Sequence, residues 1–195
     1  MPEPFARMFD EDTLCACSAT VLAIGPTGTI LWLNPAWSRF AEQNRGSDIR
    51  KRFGVGTSYF DGISGPLREY FKEAFAEVLQ AREPLELDYE CSSPEARITL
   101  RLRVLPVGDA GLLLEHAPVR ERPFANEELR EPSPHFVNKH GLISQCSNCR
   151  KVLRTDTQTW EWVPRWIAAP MPNVSHGICG ICYAFYWKAR LSRKA

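Results

Sequence analysis

Apolar and polar residues alternate along several short segments of the first 115 residues, and a period of two is typical of half-buried strands. Apolar runs at 19–24 and 29–33 flank a glycine-rich turn and predict a β-hairpin. The segments 85–91, 96–105 and 111–115 predict three further strands. Because the alternation leaves one face polar, we predict an antiparallel sheet that is open to water or a partner on one side.

Apolar residues recur at three- and four-residue intervals in two other segments, which predicts helices. Asn34 and Pro35 are typical of the cap and first position of a short helix. A longer pattern begins after Gly65 and covers 66–81. The polar, glycine-bearing stretch 44–58 has no such period and is predicted to be a loop.

Composition changes after His116, where four prolines interrupt a charged segment. A chain of 195 residues can bury one core of about a hundred residues and still leave a part too small to fold unaided. We therefore predict an α+β protein with a helical segment at 1–14, a sheet domain at 15–122, a proline-rich linker at 123–135 and a small module at 136–195.

Two equally spaced cysteine pairs are the strongest chemical signal in the module: Cys146 with Cys149, and Cys179 with Cys182. Cysteines two residues apart place both thiolates on one tight turn, and two such turns complete a tetrahedral zinc shell. His176 is the alternative fourth ligand, or else a side chain beside the metal. Reduced, buried thiols without a metal are the remaining alternative.

The segment 183–194 follows the second pair and predicts a helix that is apolar at first and then basic. Its cations are Lys188, Arg190, Arg193 and Lys194. A helix dipole favours cations at the C-terminus, so packing on the metal site explains the pattern. The alternative is a zinc-dependent regulator that binds nucleic acid, against which the net charge of +1 argues.

Charge, hydropathy and cysteine number limit the remaining function classes. No apolar run has membrane-spanning length and 1–12 lacks a signal-peptide pattern, so we expect a cytoplasmic protein without a membrane partner.

Seven cysteines, an odd number, argue against a disulfide framework. Cys15, Cys17 and Cys91 stay unassigned, and a thiol or zinc redox sensor is a further alternative. No catalytic constellation is recognisable, so we expect no enzyme.

The order of hairpin, short helices, long helix and three strands resembles the PAS sensor fold, which is a five-stranded antiparallel sheet with flanking helices. The motifs that carry the resemblance lie at 28–37, 54–60 and 87–94, and the resemblance covers residues 15–122. They are similar to a bacterial PAS subgroup found in sensor kinases and stand-alone signalling proteins. The cysteine pairs resemble a zinc-ribbon or knuckle-like extension attached to PAS and response-regulator proteins.

The resemblance implies a pocket between the sheet and the long helix that holds a cofactor or metabolite, or stays empty. Haem is disfavoured because 66–81 contains no histidine, and covalent flavin is disfavoured because no cysteine lies near Tyr59. A noncovalent flavin or another small ligand remains open. The aromatic candidates for the pocket wall, which would otherwise pack the core, are Trp32, Trp37, Phe40, Tyr59 and Phe71.

PAS domains that drive a kinase end in an aspartate-isoleucine-threonine junction, but the matching stretch 118–122 lacks the aspartate and the threonine. A signal sensed by the PAS domain would then be passed on by the metal module, by the sheet surface or by a partner protein. By analogy, the sheet or the segment 4–14 would pair two copies in a homodimer. We expect a non-enzymatic sensor or adaptor in signal transduction, with a structural zinc module that supports protein interaction.

Overall fold

The structure is a computed structural model that describes residues 1–43, 47–126, 129–168, 171 and 173–188. It divides into two compact units. The first comprises Met1–Ile63, Arg68–Tyr89 and Leu100–Val119. The second comprises Ser64–Leu67, Glu90–Thr99 and the described residues from Arg120 onward. The domain boundaries and the linker expected from the sequence stay predictions.

The described residues up to 123 form eleven elements, among which the hairpin, the helix after it, the long helix and the last three strands follow the order expected from the sequence. Their bounds are α1 Glu3–Ala6, α2 Glu11–Ala16, β1 Thr20–Ile24, β2 Ile30–Leu33, α3 Pro35–Gln43, α4 Ser47–Arg52, a 3₁₀ turn Tyr59–Gly62, α5 Pro66–Ala81, β3 Leu85–Glu90, β4 Ala96–Val107 and β5 Gly111–Pro123. The strands form one sheet in the order β2-β1-β5-β4-β3. This confirms the expected α+β architecture with a five-stranded antiparallel sheet.

Strand β1 is buried on both faces, which explains why its sequence is apolar throughout. On one face Val21, Ala23 and Leu113 pack against Phe5 of α1, whose side chain is fully buried. On the other face Ile24 lines a cavity together with Phe75 of α5. Helix α1 is therefore part of the core of its own chain, and pairing of two copies through 4–14 stays a prediction.

Two expectations about secondary structure were wrong. The loop expected at 44–58 contains helix α4, Ser47–Arg52; residues 44–46 lie outside the described part of the chain. Asp48 lies in its first turn and Arg50, Lys51 and Arg52 in its last, a charge order that the helix dipole favours. Helices this short bury no long apolar stripe, so periodicity does not reveal them.

Strand β5 continues to Pro123, although the sequence predicted that it ends at residue 115. Its pairing with β1 stops at His116, which lies opposite Thr20. Beyond His116, β5 is no longer paired with β1, so the rest of β5 lies at an edge of the sheet on that side. A proline such as Pro118 is tolerated in an edge segment, where fewer backbone donors are required.

A second, smaller sheet carries the cysteine pairs. Its elements are a 3₁₀ turn Pro134–Phe136, β6 Ile143–Cys146, β7 Val152–Leu153, β8 Trp160–Glu161, α6 Arg165–Ala168, β9 Val174–Gly177, α7 Gly180–Tyr183 and a π-helical turn Ala184–Lys188. The strand order is β8-β7-β6-β9, and β6 runs parallel to β9. Phe136, Ile143, Val152 and Val163 form its small buried core. Among the described residues of the whole chain, no helix is long and apolar enough to cross a membrane.

Candidate metal centre

The first cysteine pair forms a tight turn at the end of β6. Cys146 is the last residue of the strand, and its carbonyl accepts a 3.1 Å hydrogen bond from the backbone N–H of Arg150. Arg150 has a φ of +60°, in the left-handed region that allows the chain to reverse. The N–H of Cys146 then donates to the carbonyl of Lys151 at 2.9 Å, so the turn leads directly into β7.

The second pair lies where β9 passes into α7. Cys179 occupies the N-cap position of α7, and the N–H of Cys182 donates to its sulfur at 3.5 Å. Pairing of β6 with β9 is in register, with Cys146 opposite Gly177. Because the strands are parallel, both end at the same edge of the sheet, and each places its cysteine pair there.

The four sulfur atoms form one buried group. All of them lie within 4.8 Å of one another, and no cysteine of the group is more than 6% exposed. The Sγ atoms of Cys149 and Cys179 are 3.8 Å apart. A tetrahedral zinc site with Zn–S bonds of about 2.3 Å has sulfur atoms separated by about 3.8 Å. The group therefore has the size and the donor atoms of a four-coordinate metal site.

A backbone N–H group and a side-chain amide donate hydrogen bonds to two of the sulfurs. The backbone N–H of Cys179 donates to Cys146 Sγ at 3.4 Å, and Asn148 Nδ2 donates to Cys182 Sγ at 3.3 Å. The buried Tyr186 hydroxyl in turn donates to Asn148 Oδ1 at 2.8 Å and fixes the orientation of that amide. Donors of this kind stabilise negative charge on thiolates, and they orient ligands for a metal.

The thiols of the group share protons with one another. Hydrogen bonds with Cys149, Cys179 and Cys182 lower the pKa of Cys146, because its thiolate accepts from its neighbours. Hydrogen bonds with Cys146, and then with Cys179 and Cys182, raise the pKa of Cys149. Without a cation the group thus holds some of its protons, and binding of a divalent metal would release them.

His176 lies on β9 opposite Gln145, and its side chain is exposed. Burial of part of the ring lowers the pKa of His176, and the charge of Arg150 lowers it further. Among the described residues, the group of potential metal ligands consists of the four cysteines without His176. The remaining thiols, Cys15, Cys17 and Cys91, are half-buried and separate from the group.

The five aromatic candidates for a ligand pocket do not lie together. Tyr59 and Phe71 both contact Phe75, with ring centroids 5.5 and 5.9 Å away. Trp32 instead packs against the cluster around Phe5, and its Nε1 donates to Glu11 at 3.1 Å.

Trp37 is half-buried on α3, and Phe40 is 42% exposed. The cavity of about 180 Å³ in the first unit is lined by none of the five; its wall includes Ile24, Phe60 and Phe75. The pocket assignment stays a prediction.

Sequence reasoning missed two side chains that support the metal group. Asn148 lies inside the first cysteine pair, and a polar residue there was a weak signal for a donor to sulfur. Tyr186 lies 38 residues further along the chain, and nothing in the sequence connects it with Asn148. The basic residues Arg190, Arg193 and Lys194 lie outside the described residues.

A scan against models of protein families finds no match, and a search of curated proteins returns no significant similarity. The fold and the site therefore define the class: a mixed α+β protein with a five-stranded antiparallel sheet and a buried four-cysteine group that could hold a metal ion.

Proposed function

We propose that this protein is a non-enzymatic sensor or adaptor of the PAS type, in which a structural zinc ion organises a C-terminal surface for a partner protein. The observation that carries the proposal is the buried group of four cysteine sulfurs within 4.8 Å of one another. Four thiolates would fill all coordination positions of zinc, which leaves none for water or a substrate. A closed shell of this type is structural and not catalytic.

The small size of the sheet that carries the cysteine pairs supports a structural role for the metal. Two of its strands have only two residues each, and its buried apolar cluster consists of Phe136, Ile143, Val152 and Val163. A core of this size contributes little stability, and small modules commonly depend on a metal to fold. Zinc would tie β6, β9 and α7 together at their shared edge.

The PAS assignment rests on different observations. The sheet has five antiparallel strands, and α3, α4 and α5 lie in sequence between its initial hairpin and its last three strands. This is the element order that the sequence motifs at 28–37, 54–60 and 87–94 imply. A sensing role follows from the resemblance and not from a bound ligand.

Exposed apolar side chains next to the second cysteine pair support a protein partner. Ile181 is 78% exposed, Phe185 is 51% exposed and Tyr183 is 46% exposed. All three lie on α7 or the π-helical turn, which the metal group anchors through Cys182. Clusters of exposed apolar residues on soluble proteins commonly mark interaction surfaces.

The proposal is tested by comparing proteins captured by the zinc-loaded chain with those captured by a surface variant. The variant is Ile181→Ser with Phe185→Ser, and the control is Val55→Ser, which changes a residue that is 64% exposed in the first unit. We expect a partner that the wild-type chain and the control retain and the double variant loses. Equal capture by all three proteins, with zinc bound to each, would contradict a partner surface at α7.

A further inference from the structure

We propose that zinc binding and the position of the first turn of α5 depend on each other, through a contact between Gly65 and the segments that carry the two cysteine pairs. Gly65 directly precedes α5, Pro66–Ala81. It belongs to the second unit, as both cysteine pairs do. The coupling rests on the zinc site of the proposed function and gives that site a means of responding to a movement of α5.

Gly65 lies against a side chain of the first cysteine turn and against the backbone of β9. A methyl group on Gly65 would overlap Ser147 Oγ, which belongs to the residue after Cys146. The same methyl group would lie 2.9 Å from the carbonyl oxygen of His176 and 3.1 Å from its Cβ atom. A carbon atom cannot approach a packed backbone oxygen so closely, and this position therefore has room only for glycine.

The atoms that face Gly65 are held in place by the same bonds that align the cysteine pairs. The Ser147 hydroxyl donates to the carbonyl of Gly177 at 2.7 Å, and the backbone N–H of Ser147 donates to that carbonyl at 2.9 Å. Gly177 lies two residues before Cys179, so these bonds join the first cysteine turn to the strand that leads into the second. A displacement of Gly65 would therefore disturb the alignment of the four sulfurs.

His176 takes part in this contact through its backbone. Its carbonyl oxygen faces Gly65, and β9, in which it lies, is paired in parallel with β6. A backbone oxygen within a paired strand moves only if the strand moves. Gly65 thus contacts both strands that end in a cysteine pair, β6 through the residue that follows it and β9 directly.

The turn before α5 has little freedom to avoid these neighbours. Gly65 has a φ of +60°, in the left-handed region that glycine adopts without a steric penalty. The side chain of Arg68 spans the turn, because its Nε donates to the carbonyl of Ile63 at 2.8 Å. A fixed turn passes a displacement of Gly65 to the first residues of the helix.

Helix α5 extends from this contact into the first unit. Its first two residues, Pro66 and Leu67, belong to the second unit, and the helix continues in the first unit from Arg68. Phe71 and Phe75 of the following turns are buried. A helix is a rigid element, so a shift of its first turn and a shift of these buried side chains accompany each other. By thermodynamic linkage, whatever moves α5 changes the affinity for zinc, and zinc favours one position of α5.

Gly65→Ala tests the contact, and Gly141→Ala is the matched control. Gly141 belongs to the same unit and has a φ of +74°, but no described atom beyond its chain neighbours lies within 4 Å of a methyl group built there. Both variants place alanine in the left-handed region, and only Gly65→Ala adds the overlap. Competition with a chromophoric chelator, on the full-length chains, should give Gly65→Ala a zinc affinity about tenfold or more below that of Gly141→Ala.

Hydrogen exchange of the wild-type chain tests the opposite direction without any variant. The amides of residues 70–73 are the first that can be hydrogen-bonded within α5. Removal of zinc should speed their exchange by about tenfold or more, while the amides of α3, Pro35–Gln43, change less. Unchanged exchange at 70–73 in the zinc-free chain, or the same acceleration in α3, would overturn the coupling.

Zinc content measured on the same samples separates the two proposals. A wild-type chain that binds no zinc would contradict the proposed function and the coupling together. A wild-type chain that binds zinc, with equal affinities in Gly65→Ala and Gly141→Ala, would overturn the coupling alone.

Discussion

The sulfur atoms of Cys149 and Cys179 lie 3.8 Å apart although 30 residues separate them in the chain. Parallel pairing of β6 with β9 brings the two together, because it places both cysteine turns at one edge of the small sheet. The separation equals the sulfur–sulfur distance of about 3.8 Å in a tetrahedral zinc site. The backbone thus holds the four ligands at the spacing that the metal requires.

Tyr186 is predicted to tune the metal site through Asn148. Replacing Tyr186 with Phe removes the hydroxyl that donates to Asn148 Oδ1 and frees the amide that donates to Cys182 Sγ. Loss of a group that orients a metal ligand commonly weakens binding by about 10- to 100-fold. Competition with a chromophoric chelator measures the affinity. The matched control is Tyr183→Phe, which removes a hydroxyl from a residue that is 46% exposed; equal affinities in both variants would show that the Tyr186 hydroxyl has no such role.

Arg150 is predicted to tolerate glycine better than a β-branched residue. Its φ of +60° is favourable for glycine and strained for valine. We expect Arg150→Gly to leave the midpoint of zinc-dependent unfolding nearly unchanged and Arg150→Val to destabilise the module by about 1 to 2 kcal/mol. Chemical denaturation of the zinc-loaded proteins measures both. A valine variant as stable as the glycine variant would show that the left-handed turn is dispensable.

The sequence predicted one of the hydrogen bonds of the Asn34 side chain and missed the others. The sequence identified it as a helix cap, and its Oδ1 does accept from the N–H of Trp37 at 3.2 Å. The same oxygen accepts from Val21 N–H at 3.0 Å, and Nδ2 donates to the carbonyls of Leu14 and Ala19. The side chain is 1% exposed. Capping can be read from neighbouring residues, whereas bonds to segments 13 to 20 residues away depend on the tertiary fold.

Asn34→Ala is therefore predicted to destabilise the first unit more than the loss of a cap alone. A cap contributes about 1 kcal/mol, and leaving further buried backbone groups unpaired adds about 1 to 3 kcal/mol. Urea denaturation followed by circular dichroism measures the free energy of unfolding. Ser58→Ala, which removes the cap of the short 3₁₀ turn, is the control and should cost about 1 kcal/mol. A loss in Asn34→Ala no larger than in the control would contradict this interpretation.

His116 is predicted to make stability depend on pH. Its imidazole stacks on Tyr59 with 6.0 Å between centroids, and its Nδ1 lies 2.7 Å from the Tyr89 hydroxyl. Burial lowers the pKa of His116 from 6.5 to about 4. The unfolded chain takes up a proton near 6.5 and the folded chain resists it, so stability falls as pH decreases from about 6.5 to about 4. Over that range the loss reaches about 3 kcal/mol.

The variant His116→Gln lacks this titration, and its stability should fall less over the same interval. Comparing the pH dependence of the free energy of unfolding in the two proteins cancels the contributions of other groups. Parallel curves between pH 4 and pH 6.5 would show that His116 is protonated equally well in both states.

Elements with a strong apolar periodicity could be predicted from the sequence. Contacts between residues that are far apart in the chain could not. Helix α5 was expected at 66–81 and is found at Pro66–Ala81, because its apolar positions repeat at helical spacing. The four cysteines were found from their spacing alone. The hydrogen bond from Tyr186 to Asn148 was missed, because 38 residues separate the two and only the fold of the small sheet brings them together.

The zinc content of the purified, reduced chain tests the central claim most directly. Atomic emission analysis of protein prepared without chelators should give about one zinc per chain, lost in Cys149→Ser and kept in Cys91→Ser, whose thiol lies outside the group. Less than about half an equivalent of zinc, or iron with sulfide in its place, would contradict a structural zinc site in this module.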